Sequence, residues 1–266
     1  MAKLNASFTF IGPIDNLSAY TMRGVDGIIL RKKGGASKNK IKRSAKFENT
    51  RKLNAEFGGR ATAGKWVRSV LHYQKPMADY NISGPINALL KHVQKLDPRP
   101  GAFGKRSVLL SKSPSILDGF SLNRKTPLDS IIRSPLLYSV SRNTLSAHID
   151  IPALMPGINF NTNEKSPVYS LVATLGIVPD LFYGKRNYVP SSGNYQMFNN
   201  VSAMTAWYPV TKGSPALTLD LQHTATPPDQ LFSLVLSIGI RFGAMLDANM
   251  VQQVKYAGAA KILVAV

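Results

Sequence analysis

Residues 216–224 read ALTLDLQHT, with leucine at 217, 219 and 221 and polar side chains between them. Successive side chains of a strand point to opposite faces, so a period of two marks a half-buried β-strand. The signal recurs on both sides. Residues 231–242, LFSLVLSIGIRF, alternate in part, and residues 261–266, KILVAV, form a last apolar run. Upstream, residues 145–151 alternate as Leu, Ser, Ala, His, Ile, Asp, Ile. Residues 168–182 are rich in β-branched and aromatic side chains, and 201–210 carry Trp207 and Tyr208. Six or more such runs, separated by Pro, Gly and Asn turns, predict an antiparallel β-sandwich of the immunoglobulin or jelly-roll kind over residues 144–266. The run that closes the chain is expected to pair into the sheet.

The first half reads differently. Apolar residues on both sides of Asp26-Gly27 predict a β-hairpin, with strands near 18–23 and 27–31. Residues 38–43 are too polar for core and suit a loop or the mouth of a helix. From Ser44 the period changes. Phe47, Asn54, Phe57, Ala61, Gly64, Val67 and Leu71 follow helical spacing, with Ser44 available as N-cap. Gly58-Gly59 either splits this helix or marks a close backbone contact. A second helix begins around Pro85, carries Ile86, Leu89, Leu90, Val93 and Leu96 as one stripe, and stops at Asp97-Pro98. Residues 97–143 contain Pro98, Pro100, Pro114, Pro127 and Pro135 and predict a connector with one or two short strands. The expected fold is α+β and predominantly β: a basic hairpin-plus-helices region over 1–143, then the sandwich.

Charge sets the functional reading. The chain of 266 residues has a formal net charge of +19. Residues 1–143 contribute +18 of it and residues 144–266 only +1. The densest stretch is 31–52, RKKGGASKNKIKRSAKFENTRK, where ten of 22 residues are Lys or Arg and Glu48 is the one acid. Segregation of this kind favours a polyanionic partner: nucleic acid first, with anionic lipid headgroups or an acidic protein face as the other classes. Arg31, Lys32, Lys33, Lys38, Lys40, Lys42, Arg43, Lys46, Arg51 and Lys52 are the candidate binding residues. Phe47, Phe57 and Trp66 are interleaved and suited to base stacking, but their helical spacing favours core packing. No helix-turn-helix, zinc-finger or RNP pattern accompanies the charge, so low sequence specificity is expected.

Most enzyme chemistries find no support. The chain has no cysteine, which removes disulfides and thiolate metal sites. It has no G-x-S-x-G elbow. The piece EFGGRATAGKW comes near a P-loop, but Trp66 stands where Ser or Thr would ligate magnesium. Of the four histidines, His148 lies two residues from Asp150, and on a strand the two share a face. That pair carries the one enzyme reading, a cleft between sandwich and helices. No catalytic, metal or cofactor site is assigned. The N-terminus has no apolar h-region, and residues 231–240 are too short to span a bilayer, so a cytoplasmic or particle-associated protein is expected.

Two segments, GPIDNLSAYTMRGVDGIILRKKGG from Gly12 and KFENTRKLNAEFGG from Lys46, resemble the DUF6266 type of uncharacterised proteins common in Bacteroidetes. The resemblance covers mostly residues 10–75. It implies an intracellular or particle-associated protein with no catalytic residues to carry over. A self-assembling subunit of a phage-derived or other multi-copy particle is the alternative to polyanion docking. In that case the basic segment would meet an acidic partner protein, and a sandwich edge strand would pair between subunits.

Overall fold

A computed structural model of the chain describes residues 2–4, 10–22, 25–99, 101–185, 187–247 and 250–266. The protein is mostly β, with 38% strand and 24% helix. It divides into two compact units, Met1–Asn54 and Ala55–Val266.

The first unit contains a four-stranded antiparallel sheet of order β1-β4-β3-β2. Its strands are β1 (Ala2–Leu4), β2 (Gly12–Ile14), β3 (Leu17–Met22) and β4 (Val25–Lys32). The expected hairpin is β3–β4, but its turn is not at Asp26-Gly27. Met22 pairs with Val25, so the connection falls on residues 23 and 24, outside the described residues. Gly27 instead lies within β4 at φ +89°, where the register shifts, a bulge position that favours glycine. After the sheet comes α1 (Lys38–Arg43), a helix where a loop was one of two expectations. Ser37 caps it, its Oγ accepting the Lys40 N–H at 3.3 Å. Ser44 makes no side-chain cap; a 3-10 turn at Ala45–Phe47 leads into α2 (Glu48–Val70).

The second unit has three layers. From Ala55 on, α2 joins α3 (Ser83–Lys95) as the helical layer. The proline-rich connector forms short 3-10 turns at Leu110–Lys112 and Pro114–Leu117, then α4 (Leu128–Ile131) and β5 (Leu137–Ser141). The remaining strands are β6 (Ser146–Ile151), β7 (Val168–Pro179), β8 (Leu181–Tyr183), β9 (Tyr188–Pro190), β10 (Asn200–Met204), β11 (Tyr208–Pro209), β12 (Leu217–Gln222), β13 (Phe232–Met245) and β14 (Val251–Ala265). The central sheet has the order β10-β7-β13-β14, with β11 also pairing β7. A three-stranded sheet, β12-β6-β5, faces it. Val67, Val70, Leu71, Ile86 and Leu90 from the helices cluster with Val172, Val235 and Ile262 on one face of the central sheet. Leu171, Ala173, Ile238 and Ile240 on its other face cluster with Ile149, Ile151, Leu219 and Leu221 of the small sheet. Strands β7 and β13 are therefore covered on both sides, which is why 231–242 alternates only in part.

The α2 glycines answer the question left open by the sequence. The helix is not split. A Cβ added at Gly59 would sit 2.6 Å from the Tyr188 ring, so the glycine marks a close approach of helix and hairpin. The C-terminal residues do pair: Val266 and Leu234 exchange backbone hydrogen bonds of 2.8 and 2.9 Å.

Candidate polyanion interface

All ten candidate cations lie in the first unit, and they are held in different ways. Arg31 and Lys32 end β4 and are exposed. As neighbours on a strand they point to opposite faces. Lys33 follows, its Nζ donating to the Asp15 carbonyl at 3.0 Å. In α1, Ile41 alone is half-buried; Lys38, Lys40, Lys42 and Arg43 are exposed. The helical repeat places Lys38 with Lys42 and Lys40 with Arg43 as neighbouring pairs. Lys46 is exposed in the 3-10 turn that follows.

Arg51 and Lys52 play a different part. The Arg51 guanidinium donates from Nη1 to the carbonyls of Ile41 and Ser44, both at 2.8 Å. It fastens the end of α1 to α2. Lys52 pairs with Glu48 at 2.8 Å, one turn away on α2. The hydrogen bond from Lys52 holds the Glu48 carboxyl below its ordinary range. Among the described residues, Arg31, Lys32, Lys38, Lys40, Lys42, Arg43 and Lys46 have no carboxylate partner.

Several cations of the second unit are neutralised instead. Glu56 is 2% exposed; it accepts from Arg106 Nε at 2.6 Å and Nη2 at 3.0 Å, and from the Gly104 N–H at 2.9 Å. Asp97 accepts from Arg99 Nη2 at 2.6 Å and from the backbone N–H of Ser107. The Arg99 hydrogen bond is the main reason that its carboxyl is pulled down to about 2. Lys261 reaches Asp129.

Of the interleaved aromatics, Trp66 is buried and Phe47 half-buried, while Phe57 is 55% exposed, with Arg60 5.7 Å from its ring centre. Helical spacing placed Phe57 on the core stripe; the buried stripe passes through Gly59, Ala63, Trp66, Val67 and Val70.

The His148/Asp150 pair lies on the small sheet and gains a third member. Register pairs His148 with Asp220 of β12. The imidazole nitrogens lie 2.6 Å from Asp220 Oδ1 and 3.1 Å from Asp150 Oδ1. Those hydrogen bonds, Asp220 first, raise the histidine pKa. All three side chains are exposed, and the cross-strand partner was invisible to spacing because it is 72 residues away. The glycine-rich residues 58–65 are helical throughout, so they form no phosphate-cradling loop. Among the described residues, no group of three His, Asp or Glu side chains is placed to hold a metal ion. No helix of the described residues is long and apolar enough to cross a membrane.

These features define a β-dominated α+β protein whose densest cationic segment lies on its N-terminal unit. No family model, curated protein or solved structure matches the chain.

Proposed function

We propose that the protein is a non-enzymatic binding protein whose basic N-terminal region docks on a polyanion, with nucleic acid the preferred partner and low sequence specificity. One observation carries the reading. Seven exposed cations between Arg31 and Lys46 have no carboxylate partner among the described residues, and four of them crowd a six-residue helix. Such a cluster repels itself unless an external anion neutralises it, and released counterions then drive binding. Backbone phosphates satisfy this without base contacts. A filter-binding titration against mixed-sequence DNA and RNA in rising salt tests it. Binding that weakens log-linearly with salt supports the reading. Absence of binding at about 50 mM salt removes it.

A second reading, an assembly subunit, draws on β5. Among the described residues this strand pairs on one side only, with β6, and exposes Leu137 at 67%. An apolar edge of this kind is a template for another strand. Light scattering over a concentration series separates the two: growth in mass favours assembly, and Leu137→Lys then suppresses it.

A further inference from the structure

We propose that the groove between α2 and the β8–β9 hairpin takes an unstacked base of a single-stranded nucleic acid, which would give the docking reading above a preference for single strands. Gly58 is the starting point. Of the α2 glycines, Gly59 is required by the Tyr188 ring, and at Gly64 an added Cβ would stand 2.2 Å from Asn87 Oδ1 and displace that side chain. At Gly58 an added Cβ would meet nothing within 4 Å, and the backbone is helical. Neither packing nor backbone conformation needs glycine there, and a glycine in a helix interior weakens the helix. What its missing side chain does create is space. Ala55, Gly58 and Thr62 form one wall of an open groove of about 410 Å³, with Tyr183, Asn187 and Tyr188 opposite.

The chemistry of the walls selects the occupant. Tyr183 and Tyr188 meet edge to face with ring centres 5.3 Å apart, and Tyr188 is anchored in the core. Tyr183 is half-buried and borders the groove, as a stacking platform requires. Lys105 Nζ stands 5.7 Å from the Tyr183 ring centre. Lys185 is exposed in the hairpin turn two residues on, and Lys65 is exposed one turn beyond Thr62. None of the three has a carboxylate partner among the described residues. Among the described residues no carboxylate lines the groove, and Glu56 on the same helix is neutralised by Arg106. A flat aromatic group joined to phosphates matches a tyrosine pair with Lys105 over one ring, able to turn to a phosphate as the base stacks, and with Lys65 and Lys185 close by in sequence. A duplex keeps its bases stacked inside and cannot offer one.

The test uses the full chain, a fluorescein-labelled oligothymidylate of about 12 nucleotides and a duplex of the same length, read by anisotropy. Wild type is expected to prefer the single strand. Gly58→Leu fills the groove from an exposed helix position and is expected to fold normally. It should lose about 5- to 100-fold in single-strand affinity with duplex affinity unchanged. Tyr183→Leu should do the same by removing the platform. Salt-dependent binding of both probes by wild type, with single-strand affinity untouched in Gly58→Leu, overturns the groove and leaves the docking reading standing. Failure of wild type to bind either probe overturns the docking reading and the groove with it.

Discussion

Two adjacent glycines show how much a single methyl group decides. Gly59 and Gly58 are indistinguishable by propensity, yet only at Gly59 would an added Cβ strike the Tyr188 ring. Gly59→Ala is expected to destabilise the fold by about 1–3 kcal/mol through overpacking. Gly58→Ala is expected to stabilise it by about 1 kcal/mol, because the helix gains propensity and nothing is touched. Urea unfolding of the two variants should therefore shift in opposite directions. The Asp97 carboxylate makes a second residue-scale prediction. Its pKa in the folded chain is near 2, below the ordinary 3.8. A depressed carboxylate stabilises the fold above its unfolded pKa, and that contribution disappears as pH falls through the folded value. Asp97→Asn should therefore lower stability at neutral pH and flatten the stability loss between about pH 4 and pH 2, seen as a shallower dependence of the urea midpoint on pH.

At the scale of elements, the basic segment depends on one arginine. Nothing in α1 is fully buried, and a six-residue helix does not persist alone in water. Arg51 supplies the missing constraint by holding the carbonyls of Ile41 and Ser44. Arg51→Met keeps the stem and removes both hydrogen bonds. Amide exchange at Lys42, Arg43 and Ser44 should then rise about 10-fold or more, an effect of about 1.5–3 kcal/mol for bonds from a charged donor. Protection unchanged in the variant would show that α1 is held by something else. The same scale shows what the sequence made legible. The hairpin, α3 and the strands β6, β12 and β13 could be read because each has one pattern and one environment. α2 could not be read fully. Its Phe57 carries the helical period yet is exposed, since the true stripe is built partly of glycines and an alanine that hydropathy ignores. The start of β14 at Val251 was missed as well, because Gln252, Gln253, Lys255 and the positive-φ Tyr256 break the apolar run before Lys261. The layering was hidden for a different reason. Contacts such as Val67 with the central sheet span a hundred residues, and local periodicity carries no information about partners that distant.

For the whole molecule, net charge and charge placement make different predictions. A chain of +19 attracts polyanions from any direction. If total charge were all that mattered, any two exposed lysines would be equivalent. The docking reading says otherwise: cations of the first unit, with the lysines around the α2 groove, contact phosphate, and those on other faces such as α3 only contribute to the long-range field. Lys38 and Lys42 on α1 and Lys91 and Lys95 on α3 make a matched comparison, all four exposed and each pair separated by four residues on a helix. Each phosphate contact adds about 0.7 to 0.9 to the slope of log affinity against log salt. Replacing Lys38 and Lys42 with Gln should make that slope shallower by about 1.4 to 1.8. Replacing Lys91 and Lys95 should weaken binding slightly at low salt and leave the slope unchanged, because screened charges release no counterions. Equal losses of slope in the two double variants would mean that phosphate is not contacted preferentially by the N-terminal unit, and α1 would then be one solvated cationic surface among several.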